Sequence, residues 1–282
     1  MTSPSPKPAG ETSGFDLTFG GKPRSVGRIK TGIAELDTML RGGFMEGDAV
    51  LVAGSAGSGK TTLALQYLVN GITKFGEPGV YVTFEQLPDQ IYRDAKNFGW
   101  DLRKLEEEDK FRIICTSPSL LLESTGENLL DDVTRQIQPR RLVIDSLSHL
   151  EMFVPKNDVR SEAYRLISFL KTKGISSVLI WESSQIAGNA FNVTEVGLSF
   201  LVDCIVALKP VEIESSLRKA VAILKMRGSD HDKQLREFEI TSNGVKITSA
   251  FSNYEGIITG APRKVGSDKF FELMRGGPEK RK

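Results

Sequence analysis

Eight consecutive residues, Gly54-Ser55-Ala56-Gly57-Ser58-Gly59-Lys60-Thr61, constrain this chain more than any other feature, because they complete the pattern G-x-x-x-x-G-K-[ST]. The segment before them, Asp48-Ala49-Val50-Leu51-Val52-Ala53, is a short apolar run that reads as a buried strand. After them, Thr61 to Lys74 spaces Leu65, Leu68, Val69 and Ile72 along one helix face. A strand that enters a glycine loop and leaves it as a helix surrounds one anion with backbone N–H groups and the positive end of a helix dipole. Glycine is needed there because a Cβ would hold the backbone away from the anion. Lys60 can then reach the β- and γ-phosphates, and the Thr61 hydroxyl can ligate magnesium. Such a pattern arises by chance in roughly one chain of this size in a hundred, and the flanking strand and helix lower that further. The loop, with Thr62 behind it, is expected to bind a nucleoside triphosphate.

Composition narrows the rest. With 282 residues the chain is long for one domain and short for two. A formal net charge of +1 supplies no global attraction for a polyanion. Cys115 and Cys204 both stand in apolar stretches and read as small core residues. The two histidines, His149 and His231, form no zinc-type pattern with them. Met1 to Gly14 is rich in Ser, Pro and Gly without an apolar centre, so it is not a secretory signal. No run of eighteen apolar residues exists, which argues against a membrane span. A cytoplasmic, reduced protein is the expectation.

Residues 1–24 are expected to be a disordered tail of low hydrophobicity. From about Ser25 apolar runs alternate with helical stretches. Strands are expected at Val50–Ala53, Val80–Thr83, Phe111–Cys115, Leu142–Asp145, Ser177–Trp181 and Cys204–Leu208. Helices are expected at Thr61–Lys74, Pro88–Phe98, Asn128–Ile137 and Glu162–Lys173. Past Cys204 the rhythm changes to short strands at Val211–Ile213, Ala220–Lys225, Leu235–Ile240 and Gly244–Ile247, with Ser242-Asn243-Gly244 as a hairpin turn. A parallel core with antiparallel strands at one edge follows. Residues 263–282 hold seven Lys/Arg against three Asp/Glu and read as a basic, flexible tail.

Two acids can complete the site. Arg141-Leu142-Val143-Ile144-Asp145 is an apolar strand ending in an aspartate, suited to hold the water shell of magnesium. Val80-Tyr81-Val82-Thr83-Phe84-Glu85 is another ending in a carboxylate, on the sheet edge where ligands of open α/β sheets bind. Glu85 could orient or deprotonate a water there. On the residues alone, a surface glutamate opening the helix at Pro88 is an equal reading.

Several segments together resemble one family: Lys30 to Asp37 with Gly42-Gly43-Phe44, the glycine loop, Phe84-Glu85, the strand Leu142 to Ser148, and Lys225-Met226-Arg227-Gly228-Ser229-Asp230-His231-Asp232-Lys233. They are similar to the KaiC branch of the RecA-type ATPases over about Ser25 to Pro262, and the last motif is the most specific. The resemblance implies an α/β fold: a RecA-like P-loop NTPase core of mostly parallel sheet flanked by helices, with antiparallel edge strands on the C-terminal side. It also implies ATP and Mg2+ as cofactors, hydrolysis of ATP, and a homohexameric ring with nucleotide between subunits. KaiC is a tandem of two such domains, this chain has room for one, and its motifs lie closer to the second.

Site residues follow from the same resemblance. Lys225 and Arg227 would reach the neighbouring subunit's γ-phosphate, and Ser229, His231 and Lys233 would lie near its nucleotide. Spacing alone favours a plainer role for Lys225 and Arg227, as cations on the outer face of an antiparallel strand. Two departures stand out. Glu85 is followed by Gln86 where KaiC has a second glutamate, and the autophosphorylated pair of KaiC becomes Ser199-Phe200, which leaves Ser199 alone as a phosphosite.

A RecA- or RadA-like protein on single-stranded DNA is one alternative. It fits poorly, because the loop Gln185 to Glu195 has no Lys or Arg, and Lys156 and Arg160 are offset by Glu151 and Asp158 in the loop before. The basic C-terminal tail keeps that option open. A scaffold that assembles on ATP with negligible turnover is the other.

Overall fold

The computed structural model describes residues 27–122, 129–183, 197–251, 254–257 and 262–264. The elements run β1 (Arg28–Ile29), α1 (Ala34–Met39), β2 (Phe44–Met45), β3 (Ala49–Gly54), α2 (Lys60–Phe75), β4 (Gly79–Thr83), α3 (Pro88–Lys96) and α4 (Leu102–Glu107). Next come β5 (Phe111–Cys115), α5 (Pro118–Leu122), α6 (Leu129–Ile137), β6 (Arg141–Asp145), α7 (Leu150–Phe153), α8 (Val159–Thr172) and β7 (Ser176–Glu182). The described chain ends with β8 (Cys204–Ile213), β9 (Ser216–Met226), β10 (Arg236–Thr241), β11 (Gly244–Ala250), β12 (Tyr254–Glu255) and β13 (Arg263–Lys264). Short 3-10 turns cover Leu147–His149 and Leu198–Phe200.

One sheet of nine strands organises the molecule, in the order β11-β10-β9-β8-β3-β7-β6-β4-β5. From β8 to β5 every pairing is parallel, and from β8 to β11 every pairing is antiparallel. The fold is therefore the RecA-like P-loop core that the resemblance implies. Side-chain alternation along β3 explains the layers. Val50 and Val52 pack on one face with Leu63, Tyr67 and Leu68 of α2. Ala49, Leu51 and Ala53 pack on the other with Ala163, Leu166, Ile167 and Leu170 of α8. A sheet covered on both faces needs apolar residues at consecutive positions, which is why its strands read as unbroken apolar runs.

Three expectations are corrected. Val211–Ile213 is not a separate strand, since β8 runs unbroken through Pro210. Proline is tolerated because β3 ends opposite Leu208, so Pro210 pairs only with Lys219 of β9 and needs no N–H on its other side. Cys115 is exposed, at the last position of the edge strand β5, whereas Cys204 is buried between β3 and β9. The helix expected from Glu162 begins a turn earlier, at Val159. The expected hairpin turn at Ser242-Asn243-Gly244 is present, with Thr241 paired to Gly244. Arg263 and Lys264, which open the expected tail, pair with Glu255 and Tyr254. The 1–24 tail, the rest of 263–282 and the loop Gln185 to Glu195 lie outside the described residues.

Candidate functional site

Parallel strands bring the C-terminal ends of β3, β7, β6 and β4 to one edge, and the glycine loop leaves β3 there. Gly59, at φ 102°, caps α2, and its Cα faces Ile240 and Phe238 of β10 closely enough that a Cβ would sit 3.0 Å from Ile240 Cδ1. The first N–H groups of α2, from Lys60 onward, have no partner within the helix and point into the loop. Lys60 is buried, and its ammonium donates to the Ser55 carbonyl at 2.7 Å. Burial pulls the Lys60 ammonium below its usual range, while the charges of Glu182 and Asp145 act against that. The hydroxyls of Ser55 and Ser58 are buried without a hydrogen-bond partner among the described residues. Unpartnered donors around a lysine, at a helix N-terminus, are what a bound phosphate would satisfy.

Thr61 and Asp145, the two expected magnesium ligands, meet directly: Thr61 Oγ1 donates to Asp145 Oδ2 at 2.7 Å. The Tyr81 hydroxyl donates to the same oxygen at 2.6 Å. Burial pushes the Asp145 carboxyl up, and these two hydroxyls hold it down. Two hard oxygens beside a phosphate loop suit a magnesium ion that keeps most of its shell as water and phosphate oxygen. Thr62 lies one position further along α2 and is half-buried.

Glu85 stands in the turn after β4, where the Thr83 hydroxyl accepts from the backbone N–H of Glu85 at 3.4 Å and of Gln86 at 3.1 Å. Its side chain is 75% exposed and lies 3.4 Å from His149 Nε2. A cavity of about 590 Å3 joins these groups, lined by Lys60, Thr61, Glu85, Asp145, His149 and Glu182 among others. A larger hollow of about 800 Å3 lies elsewhere, between α3 and α4, and holds none of the loop residues.

Lys225, Arg227, Ser229, His231 and Lys233 are not in this cavity. Across β3, β8 and β9, Gly54 aligns with Leu208 and Val221, whereas Val50 aligns with Cys204 and Met226. Lys225 and Arg227 are thus displaced by about four and about six strand positions, or about 13 Å and about 20 Å, toward the opposite edge of the sheet. There the Lys225 ammonium donates to the carbonyls of Ser199 and Val202, each at 2.7 Å. Arg227 donates to the Phe200 carbonyl at 2.7 Å and lies 3.4 Å from Asp203. Ser229 accepts from Arg28, Lys233 lies 4.0 Å from Asp230, and His231 Nδ1 is buried without a partner among the described residues. Ser199 is half-buried in the 3-10 turn beside Lys225.

Sequence reasoning missed four contributors. Glu182 ends the apolar run of β7 just as Asp145 ends that of β6, so the same rule would have found it. Tyr81 and His149 carry no signal beyond proximity to Glu85 and Asp145 in the chain. Lys219 carries none, because β9 brings it to the glycine loop, where its ammonium donates to the Gly57 carbonyl at 2.6 Å.

Comparison with known proteins identifies the family. The family profile described as "ATPase: KaiC" matches residues 29–252. The chain belongs to the KaiC ATPase family. It is 35% identical over 252 residues to the circadian clock oscillator protein KaiC of Nostoc sp., covering 88% of this chain and 47% of that protein. It is 36% identical over 252 residues to the KaiC of Thermostichus vulcanus, covering 88% and 48%. With the circadian clock protein KaiC3 of Synechocystis sp. it shares 33% over 235 residues, covering 83% and 46%. The chain spans about half the length of these relatives. Among the described residues, no helix is long and apolar enough to cross a membrane.

Proposed function

We propose that this chain is a cytoplasmic, magnesium-dependent ATPase that assembles as a homohexameric ring and switches partners with its nucleotide state. The carrying observation is the division of the site between opposite edges of one sheet. Lys60, Thr61, Asp145 and Glu85 gather at one edge, and Lys225 and Arg227 stand about four and about six strand positions away toward the other. Cations so placed cannot serve their own subunit's loop, but a neighbour in a ring can receive them. Charge supplied across an interface stabilises a transferring phosphoryl group only after assembly.

In this reading Gly54 to Thr62 hold the phosphates, and Lys219, over the glycine loop, adds a cation from the same subunit. Thr61 and Asp145 would hold magnesium, which neutralises charge on the phosphate oxygens. Glu85 takes a proton from a water whose oxygen bonds to the γ-phosphorus. The bond from that phosphorus to the β–γ bridging oxygen breaks, and ADP leaves with the electron pair. Ser199 lies with Lys225 and Arg227, so a phosphoryl donor for it would be the neighbour's nucleotide. The relatives' names as clock proteins support a role as a switch.

A second reading, an ATP-assembled scaffold with negligible turnover, draws on the 75% exposure of the Glu85 side chain. Native mass with and without Mg-ATP, together with phosphate release, separates the two. Ring assembly on ATP is expected for the wild type and Glu85→Gln, with turnover about 100-fold lower in the variant. Lys60→Ala should neither bind nor assemble. Assembly without release from either protein favours the scaffold, and a monomer that ignores ATP removes both readings.

A further inference from the structure

We propose that His149 is a positioning residue for Glu85, aiming its carboxylate with an Nε2–H whose ring is tied through Ser146 and Ser148 to the end of β7. The inference rests on the hydrolytic reading above and deepens it. Glu85 needs such a device. Its side chain projects from a turn and is 75% exposed, and His149 is its ionic partner among the described residues. A carboxylate free to sample its rotamers would seldom face a water aligned on a phosphorus atom, and misplacement by about 1 Å can cost about 100-fold in rate.

His149 is held from three sides. It closes the 3-10 turn Leu147–His149 that follows Asp145 and Ser146, so the strand end carrying Asp145 also sets the ring. The ring meets Phe84 edge-on, with centroids 6.3 Å apart. Its Nδ1 lies 2.9 Å from Ser146 Oγ and 3.2 Å from the Ser146 carbonyl. Ser146 Oγ lies 2.7 Å from Ser148 Oγ, which accepts from the Glu182 N–H at 3.4 Å.

Proton counting fixes the end of the ring that faces Glu85. An ionised Glu85 only accepts, so the Nε2 that faces it carries a hydrogen. Nδ1 faces both the Ser146 hydroxyl and the Ser146 carbonyl: without a hydrogen it accepts from the hydroxyl, and with one it donates to the carbonyl. In both cases Ser146 and Ser148 tie the ring to the end of β7, where the Ser148 oxygen takes the Glu182 N–H. A ring that merely filled space beside Phe84 would not need both nitrogens faced by polar atoms.

The test uses the full chain and two readouts. In steady-state phosphate release, His149→Leu is expected to lower kcat by about 10- to 100-fold with KM within about twofold. His149→Gln, whose amide can still donate to Glu85, should recover most of the loss. In a Glu85→Gln background His149→Leu should cost nothing further. The second readout is imidazole nitrogen NMR at pH 8, where the chain's two histidines are assigned with His149→Gln. It should show His149 Nε2 protonated and its signals moved by Glu85→Gln.

Unchanged kcat in His149→Leu, no rescue by His149→Gln, or independent losses in the double variant would overturn the proposal. So would a bare His149 Nε2, or signals indifferent to Glu85→Gln. Absence of turnover in the wild type would remove the hydrolytic reading instead, and the NMR result would still decide whether His149 holds Glu85.

Discussion

Asp48 shows how a single residue ties stability to pH. It precedes β3, its Oδ2 is buried without a partner among the described residues, and burial followed by the charge of Asp203 pushes its carboxyl up to about 7. Lys171, Arg227 and Arg28 pull the other way. An aspartate in an unfolded chain titrates near ~4, so between about pH 4 and pH 7 the folded chain keeps a proton that the unfolded chain has lost. The stability linked to that proton is present below about pH 4 and is lost as pH rises through about 7. Asp48→Asn removes the dependence. Its thermal midpoint relative to wild type should climb from pH 5 to pH 8, and a difference flat with pH would contradict this account. Nothing in the residue string marks Asp48, because its environment is made by Asp203, which arrives from the start of β8. Asp145, by contrast, was legible as the acid that ends an apolar strand, whereas Glu85 needed the resemblance, since the residues alone read equally as a surface glutamate before Pro88.

The strand that presents Asp145 is secured at its other end by Arg141. This residue is fully buried, its Nε donates to Glu77 at 2.7 Å, and its other nitrogens donate to the carbonyls of Tyr67 (2.8 Å) and Lys30 (2.7 Å). The guanidinium also stacks over Tyr67, 4.5 Å from the ring centre. Space for it exists because α2 has glycine at position 71, where a Cβ would fall 2.3 Å from Arg141 Nε. Two effects oppose each other in Gly71→Ala. Alanine favours the helix by about 1 kcal/mol, and breaking a buried charged contact costs about 3 to 5 kcal/mol. Net destabilisation of at least about 2 kcal/mol is expected in urea unfolding, and Gly71→Ala should become neutral or stabilising in an Arg141→Met background. Most elements were readable because burial on both faces writes strands as apolar runs. Short helices such as α1 and α4 were not, since six residues carry too few turns for a periodic signal. The continuity of β8 through Pro210 was hidden because it depends on where β3 stops.

At the scale of the whole molecule, the separation of the two sets of site residues makes a complementation experiment decisive for the ring. In the ring proposed above, Glu85→Gln spoils the edge that would receive nucleotide, and Arg227→Ala spoils the edge that would serve the neighbour. Each variant alone should lose most of its phosphate release. Mixed and allowed to assemble, they should regain a measurable share, because some interfaces then pair an intact receiving edge with an intact serving edge. A mixture no more active than its parts would place all the chemistry within one subunit.

The sequence by itself determined the glycine loop, the apolar strands and the aspartate that ends one of them, because each depends on neighbours in the chain or on burial periodicity, and the family followed from resemblance across several motifs. Only the tertiary structure decided that Lys225 and Arg227 stand away from the loop, that Lys219 reaches it, and that His149 faces Glu85. Those relations depend on strand register and on which edges a sheet brings together, and the order of residues along the chain does not encode such distances locally.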